Sequence, residues 1–465
     1  MSEAHKSAVK KEYRLTRFAP GGIMEVITIS YPLMLAALSA NLMIFSDRVI
    51  LARYSLDAMN SASAAAMMYI TFAFFGMSIT AIAEVFVGQY NGDGKYSKIA
   101  VPVWQMIWFS LMLAPIFWPI SEFAGRFLIH QDLMEHGHPY FKWMMRFGFL
   151  LPLIGALGAF FIGQGKTLLI TMAAIIANVL NFFLDIVFVF GYGDIVPSLG
   201  AEGSAIASVI SQAIQCLILF VVFLSPKHAK KCKTRRAIFN FNIMKKCLNI
   251  GLPAAFSHTL EILGWALLPL FLTSLGKSYI TVHTINQGVF ILFAFFIDGT
   301  RTAVTTIAAN MLGAHRKELI NKLFRSTVFM HLGISLVLLI PMIVYPNLLI
   351  DIFLSEESAL SAEIKLHSAL ALKAMWFFFI VDGVVWIIAG ILTAGGDTRF
   401  ILFANILSFW GCAIVPLYIA LTYLPSTPST SGFVILTYPL VNLLLFIRRY
   451  FSNKWHKLDL SKEPQ

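Results

Sequence analysis

FAFFGMSITAIAEVFVGQYNGDGKYSKI, residues 72–99, aligns with FAFFIDGTRTAVTTIAANMLGAHRKELI, residues 293–320, at a constant shift of 221 positions. The first four letters are identical, and Gly92 meets Gly313. Similarity at a fixed shift across such a distance indicates that the chain is an internal duplication.

The duplication extends beyond this stretch. Pro32 meets Pro253 near the start of each half, and a slightly longer shift of 231 aligns GQGKT with AGGDT, so that Gly165 meets Gly396. Repeats of the same orientation are related by an axis along the membrane normal, and secondary transporters place their sites where such repeats face each other. The pattern therefore predicts a secondary transporter rather than a channel, because no selectivity-filter sequence is present.

The composition is that of a membrane protein. Of 465 residues, 58% are hydrophobic and 13% are charged, too few polar side chains to cover a soluble globule. Apolar stretches long enough to cross the roughly 30 Å hydrocarbon core as helices recur along the chain. We predict an all-α integral membrane protein with twelve transmembrane helices in two six-helix lobes. The predicted spans are 26–50, 60–87, 100–122, 140–162, 167–191, 203–225, 248–272, 279–308, 324–346, 367–392, 399–422 and 431–448.

The spans divide the chain into five regions. The tail before the first span is too polar to be a cleavable signal peptide. The four cysteines lack metal-ligand spacing, so we expect no disulfide, no metal cluster and no cofactor. The regions are a cytoplasmic tail at 1–25, an N-lobe at 26–225, a basic cytoplasmic linker at 226–247, a C-lobe at 248–448 and a cytoplasmic tail at 449–465.

Lysine and arginine are distributed unequally across this topology. With the N-terminus inside, 26 of the 35 fall on the cytoplasmic side and 7 on the other, while Arg48 and Arg301 lie within spans. Positive charge is retained on the cytoplasmic side of membrane proteins. We therefore predict an inner (plasma) membrane protein with both termini and the linker in the cytoplasm. The basic linker is a topology signal and not a nucleic-acid-binding surface.

The stretch FFIGQGKT, residues 160–167, ends like a nucleotide-binding P-loop. That loop needs a glycine five positions before its Gly-Lys pair, where this chain has Phe160. It also needs a preceding strand, whereas both flanks here are long apolar runs. We predict that the stretch is a repeated helix-to-helix turn that binds no nucleotide and that Lys166 is only a positive-inside charge.

Six carboxyl groups lie within or near the predicted spans. A charge at mid-bilayer costs at least about 2.5 kcal/mol, so each acid needs a partner, a cavity or a proton. Because burial favours the neutral form of a carboxyl group, such acids can exchange protons and carry a coupling ion. The six are Asp47, Glu84, Asp185, Glu261, Asp298 and Asp382.

The fifth span carries Asn178, Asn181 and Asp185 on one stripe of its helix. Two amides and a carboxylate on one face can surround a proton network or a bare Na⁺, which prefers oxygen ligands. Interhelical hydrogen bonds that lock the bundle are an equally open alternative.

Two other acids have a tryptophan one turn later. The seventh span carries His258, Glu261 and Trp265 on one stripe, and the tenth carries Asp382 and Trp386 four positions apart. The face of an indole ring can hold an organic cation, which makes these side chains candidates for a substrate cavity. The alternative is that the tryptophans are core residues or interfacial anchors.

The eighth span contains Asp298 and Arg301 three positions apart. A structural ion pair is the favoured interpretation, although Asp298 is also a candidate for the substrate cavity. Glu84 lies near the cytoplasmic end of its span and is interpreted as a gating or loop-capping residue.

Together these features resemble the multidrug and toxic compound extrusion (MATE) family of cation-coupled efflux transporters, and within it the NorM-like branch. The resemblance covers nearly the whole chain, and the order of its motifs is more specific than any one of them. The motifs are FSDRVILARYSLDAMNSAS from residue 45, VFVGQYNGDGK from 85, LGAEGSAIAS from 199 and GLPAAFSHTLEILGW from 251.

The resemblance implies a V-shaped pair of lobes that alternately opens a central cavity to each side, with H⁺ or Na⁺ moving in as an organic compound moves out. It places N-lobe cation-coupling residues at Asp47, Asn181 and Asp185, which are possible Na⁺ ligands. It places the C-lobe acids at Glu261 and Asp382.

The sequence thus predicts a non-enzymatic antiporter, a monomer in the lipid bilayer that exports small organic, cationic and aromatic compounds. A lipid or oligosaccharide flippase of the same superfamily would need basic residues lining the cavity, and only Arg48 and Arg301 are candidates. A membrane enzyme such as an acyltransferase would need clustered His, Asp or Ser at the membrane surface, and no such cluster is evident. The Asp298–Arg301 pair departs from the family pattern.

Overall fold

The computed structural model describes residues 14–129, 131–354 and 359–458, so the predicted terminal tails lie partly outside the described residues. The N-lobe contains α1 (Ile23–Tyr54), α2 (Leu56–Ala81), α3 (Ala83–Gly92), α4 (Ala100–Phe123), α5 (Gly125–Leu128), α6 (Met134–Arg146), α7 (Leu150–Ile162), α8 (Thr167–Phe190) and α9 (Gly200–Phe223). The linker contains α10 (Pro226–Cys232). The C-lobe contains α11 (Phe241–Thr273), α12 (Lys277–Gly313), α13 (Ile320–Leu339), α14 (Asn347–Ile350), α15 (Ala359–Ala394), α16 (Thr398–Asn405), α17 (Val415–Tyr423), α18 (Thr430–Val434) and α19 (Thr437–Phe451).

The predicted all-α membrane architecture is confirmed. The described part of the chain has 11 helical spans long and apolar enough to cross a membrane, and one pair of helices bent by 41° supplies a twelfth. This pair, α6 and α7, corresponds to the predicted span 140–162. At its break a Cβ on Gly148 would lie 2.9 Å from the Phe117 ring, so a larger residue there would require this ring of α4 to shift.

The two lobes touch through helices that are equivalent in the repeats: α1 packs against α12, and α11 packs against α2. Small residues permit this approach. A Cβ on Gly299 would lie 2.5 Å from the Met34 side chain, and one on Gly251 would lie 2.9 Å from the carbonyl oxygen of Ile79.

These contacts lie toward the face of the molecule that carries both described ends of the chain, termed the terminal face. There Leu15 packs against Gly165 in the turn before α8, and Leu458 packs against Gly396 in the turn before α16. Farther from this face the same interface helices expose large apolar side chains, among them Phe45, Leu267 and Ile291. The described contacts between the lobes therefore lie toward the terminal face, and the central cleft implied by the V-shaped family resemblance would open toward the opposite face.

The turns before α8 and α16 share one backbone conformation. Each turn contains a glycine of positive φ, Gly165 (72°) or Gly396 (80°). The residue after this glycine donates its N–H to the carbonyl oxygen five positions earlier, at 2.9 Å in the first turn and 3.0 Å in the second. This is a common way to end a helix. The N–H groups from Gly163 to Lys166 all bond to carbonyl oxygens of α7. None is left to cradle a phosphate, which supports the prediction that GQGKT binds no nucleotide.

Lys166 has a structural role that the sequence interpretation missed. Its Nζ donates to Gln164 Oε1 at 2.9 Å and lies 3.2 Å from His228 Nε2 on the linker helix α10. His228 Nδ1 lies 2.8 Å from the Val222 carbonyl oxygen, so this nitrogen donates and Nε2 accepts from Lys166. Burial lowers the pKa of His228, which favours this neutral ring. The expectation that Lys166 is only a positive-inside charge was wrong.

Asp397 occupies the position equivalent to Lys166 in the C-lobe turn. Its buried carboxylate pairs with Arg449 at 2.6 Å and with Lys457 at 2.5 Å. Each of the two turns therefore holds in place the segment at the end of the sixth span of its own lobe. The N-lobe turn does so with a positive side chain, Lys166, and the C-lobe turn with a negative one, Asp397.

Candidate functional site

Asp47 of α1 and Asp185 of α8 bring their carboxyl groups within hydrogen-bonding reach of each other in the N-lobe. Asp185 is fully buried. Both of its oxygens, and Oδ1 of Asp47, lack a hydrogen-bond donor among the described residues. Two adjacent carboxylates repel each other unless a proton or a cation lies between them. The pair is therefore built to take up a positive charge.

The predicted stripe on α8 divides into two parts. Asn181 is fully buried one turn before Asp185; its Nδ2 donates to Ser208 of α9 at 3.4 Å, and its Oδ1 has no partner in the described structure. Asn178 instead donates to the Ser39 hydroxyl of α1 at 2.8 Å. Asn178 thus fastens two helices, whereas Asn181 and Asp185 retain unused oxygens.

These unused oxygens of Asp47, Asn181 and Asp185 match the donor chemistry of the predicted Na⁺ site, because hard cations bind carboxylate and amide oxygens. Within the described ranges no group of three or more His, Cys, Asp and Glu side chains is arranged to hold a metal ion. A cation site at Asp47 and Asp185 would therefore need further oxygens, and the unused amide oxygen of Asn181 is one such candidate.

Tyr140 is a neighbour of this site that the sequence interpretation missed. It lies on α6, is 7% exposed, and interacts electrostatically with both Asp47 and Asp185. Ser204, within the LGAEGSAIAS motif, lies beside Asp185. The motif was a usable signal for Ser204, whereas Tyr140 lies on α6, on which no candidate residue was predicted.

Glu261 of α11 and Asp382 of α15 lie within electrostatic range of each other in the C-lobe. The Tyr438 hydroxyl donates to Glu261 Oε1 at 3.3 Å, and Trp386 Nε1 donates to Asp382 Oδ2 at 3.0 Å. The second oxygen of each acid is buried without a partner among the described residues. Each acid thus has one oxygen held in place and one available to a proton or ligand.

The two tryptophans do lie beside the acids, but they do not both present a free ring face. Trp386 directs its N–H at Asp382, and the Arg301 guanidinium lies over its ring at 4.9 Å from the centroid. Arg301 therefore occupies the ring face of Trp386 that was expected to be available to an organic cation. Trp265 packs against Phe409 at a centroid distance of 5.4 Å and lines a cavity in the C-lobe.

Asp298 and Arg301 make no direct salt bridge within 4 Å among the described residues, so the expected contact pair was wrong, although Arg301 still interacts electrostatically with Asp298. The guanidinium of Arg301 is instead engaged with Trp386 on the neighbouring α15. The Asp298 side chain is exposed, and His258, three residues before Glu261, is half-buried. Asp298 and His258 remain candidates for the cavity without a bonded partner that assigns them a role.

A buried network of hydrogen bonds continues from the C-lobe acids. Asn442, one turn after Tyr438 on α19, donates to Asn405 at 2.9 Å and accepts from the Ser408 hydroxyl at 2.7 Å. Asn405 donates to the Ser257 hydroxyl of α11 at 2.9 Å. The sequence interpretation missed this network, although the four-residue spacing of Tyr438 and Asn442 was a visible signal.

Comparison with known families supports the duplicated architecture. The family model MatE matches two stretches of the chain, residues 32–187 and 253–419. The two matches begin 221 positions apart, the shift seen between the repeats.

Relatives of similar sequence include bacterial multidrug resistance proteins. The probable multidrug resistance protein NorM of Mannheimia succiniciproducens is 26% identical over 397 residues, with 83% of each chain covered. The NorM of Pasteurella multocida is 23% identical over 401 residues, again with 83% of each chain covered. The multidrug resistance protein MdtK of Photorhabdus laumondii is 24% identical over 402 residues, covering 83% of this chain and 84% of its own.

Solved structures share the fold at low sequence identity. A MATE crystal structure in the straight conformation has a TM-score of 0.82 at 16% identity and covers 95% of this chain and 97% of its own. A MOP superfamily transporter from Pyrococcus furiosus has a TM-score of 0.80 at 17% identity, covering 97% and 99%. Since the family model also matches both halves, this chain belongs to the MATE family of multidrug efflux transporters.

Proposed function

We propose that this transporter exports aromatic organic cations by antiport against H⁺ or Na⁺, as a single chain whose lobes alternate in access. The observation that carries the proposal is that each lobe holds a pair of acids with buried, unpartnered oxygens, Asp47 with Asp185 and Glu261 with Asp382. Each buried acid costs at least about 2.5 kcal/mol in a membrane, so four idle acids would be an expensive feature.

The acids suit exchange because a carboxylate cannot hold a proton and an organic cation equally well. A proton or Na⁺ at Asp47 and Asp185 removes the negative charge that retains a cationic substrate. The ion and the substrate then favour different states of the transporter, and this difference in affinity is what drives the exchange.

Basic residues do not favour the flippase alternative. Arg301 is committed to Trp386, and Arg48 lies next to Asp47 in the chain. Apart from His258, the other titratable candidates that would face a phosphate group are acids.

The charge bias predicts that the terminal face is cytoplasmic. On this proposal, the cleft opens to the outside, where an inward ion gradient loads the acids. We propose the inner (plasma) membrane as its location, as the similarity to multi-pass NorM-type proteins suggests.

Transport in proteoliposomes tests the proposal. Efflux of ethidium, a fluorescent aromatic cation, is measured with pH and Na⁺ gradients imposed separately, for wild type and for Asp47→Asn, Glu261→Gln and Asp382→Asn. At least one gradient should drive efflux, and each substitution should lower that rate by about tenfold. Asp194→Asn, an exposed acid in the loop after α8, serves as the matched control.

Wild-type efflux with unchanged ion dependence in all three variants would contradict the proposal. The coupling site would then lie elsewhere, with Asp298 and Glu84 the next acids to replace.

A further inference from the structure

A cavity of about 160 Å³ lies inside the C-lobe, between α11, α12, α15 and α18. None of the residues that line it is Asp, Glu, Lys or Arg. An apolar cavity of about 150 Å³ is known to accept benzene, so this volume holds one aromatic ring. Most of its wall is apolar: Trp265, Val282, Phe290, Met375, Phe378 and Ile435.

Two polar side chains in this wall have unused atoms. His283 and Asn286 are 5% and 4% exposed, and His283 Nε2 and Asn286 Oδ1 have no hydrogen-bond partner among the described residues. The Asn286 amide nitrogen already donates to the Val282 carbonyl at 2.8 Å, which leaves Oδ1 as an acceptor. Buried polar atoms without partners are costly, and a ligand with a polar group removes that cost.

We propose that this cavity is a binding subsite for one uncharged aromatic ring that carries a hydroxyl or similar hydrogen-bonding group. The ring packs against the aromatic wall, its hydroxyl donates to Asn286 Oδ1, and His283 Nε2 supplies the second hydrogen bond. The inference rests on the proposed function, because the ring is taken to be part of a transported compound.

The position of the cavity explains how a larger compound reaches it. Gln287 and Ile291 border the cavity, and Ile291 is 52% exposed. Asp298 is exposed two helical turns farther along α12, about 10 Å along the helix axis. A compound whose ring occupies the cavity can thus place a positively charged group near Asp298.

Two matched probes test the subsite: 4-bromophenol, which has the hydroxyl, and bromobenzene, which lacks it. Bromine quenches tryptophan fluorescence on contact, so both probes should quench the purified protein saturably. Trp265→Phe should remove that quenching. Asn286→Leu and His283→Leu should each weaken the binding of 4-bromophenol by about three- to tenfold. They should change the binding of bromobenzene by less than about twofold. Thr284→Val, an exposed position on the same helix, is the control.

A variant that fills the cavity tests whether both probes bind inside it. Ser431→Leu adds side-chain volume to the lining and should abolish the binding of both probes. Absence of saturable quenching, quenching that survives Trp265→Phe, or equal loss of both probes in Asn286→Leu would overturn the proposal.

The binding assay uses no ion gradient. Probe binding without ethidium transport would therefore contradict the antiport proposal but not the subsite. Ethidium transport without probe binding would contradict the subsite but not the antiport proposal.

Discussion

Gly92 and Gly313, equivalent positions of the two repeats, each pack against the helix that carries the other. A Cβ on Gly92 would lie 2.0 Å from the Asn310 carbonyl oxygen, and one on Gly313 would lie 2.0 Å from the Gln89 carbonyl oxygen. Gln89 and Asn310 are also equivalent, so the contact is symmetric under the repeat. Only glycine tolerates this approach of two backbones, and the closed terminal face depends on it.

Gly92→Ala and Gly313→Ala should therefore each prevent closure of the terminal face and lower transport by about tenfold or more. Spin labels at Ser97→Cys and Glu318→Cys, exposed on this face in the two lobes, should report a longer distance in either variant. Gly333→Ala is the matched control, because its Cβ would meet no atom within 4 Å. Normal transport by either glycine variant would show that this contact is not required.

Glu84 belongs to the same interface. Its Oε1 accepts a hydrogen bond from the Thr306 hydroxyl of the other lobe at 2.7 Å, and its side chain is buried. This contact between lobes is consistent with the gating interpretation of Glu84 and inconsistent with loop capping.

The orientation in the membrane is testable with introduced cysteines. Native Cys232 is unsuitable because it is buried, and Cys412, which is partly exposed, should first be replaced by serine. An impermeant maleimide added to intact cells should label Asp194→Cys and should label Ala237→Cys only after permeabilisation, since the charge bias places the linker inside. The opposite labelling pattern would reverse the topology.

The Asp397 ion pairs should hold the segment after α19 in place. Asp397→Ala should lower the free energy of unfolding by about 1 to 3 kcal/mol, because two charge-assisted bonds to a buried carboxylate are lost. It should also speed proteolysis after Phe451. Lys457→Ala should cost about 1 kcal/mol or less, since that side chain is 49% exposed. Thermal unfolding measures both, with Lys454→Ala, an exposed lysine nearby, as control. Equal stability of Asp397→Ala and wild type would refute this role.

His315 adopts a left-handed conformation with φ of 59°, where its repeat equivalent is Gly94 with φ of 74°. His315→Gly should raise the free energy of unfolding by about 0.5 to 1 kcal/mol. The substitution relieves backbone strain in the folded state, and this gain is reduced because glycine gives the unfolded chain more conformational freedom. The contact of His315 with Asp93, at 3.9 Å and largely exposed, contributes little to offset this gain. Gly94→His should have the opposite effect in thermal unfolding. A destabilised His315→Gly protein would contradict the argument.

Local patterns predicted some contacts correctly and others incorrectly. The four-residue spacing of Asp382 and Trp386 predicted their proximity, because both lie on one helix. The three-residue spacing of Asp298 and Arg301 suggested an ion pair by the same logic. The guanidinium of Arg301 instead lies over the Trp386 ring of the neighbouring helix, so it contacts another helix and not Asp298 on its own helix.

The sequence by itself determined the helical spans, the duplication and the family, because the bilayer imposes length and hydrophobicity on each span locally. Only the tertiary structure decided which polar groups meet. Glu261 and Tyr438 are 177 positions apart, and the cavity at His283 is assembled from four helices. Such contacts depend on how helices cross and where they bend, which is set by packing among distant segments and by no spacing along the chain.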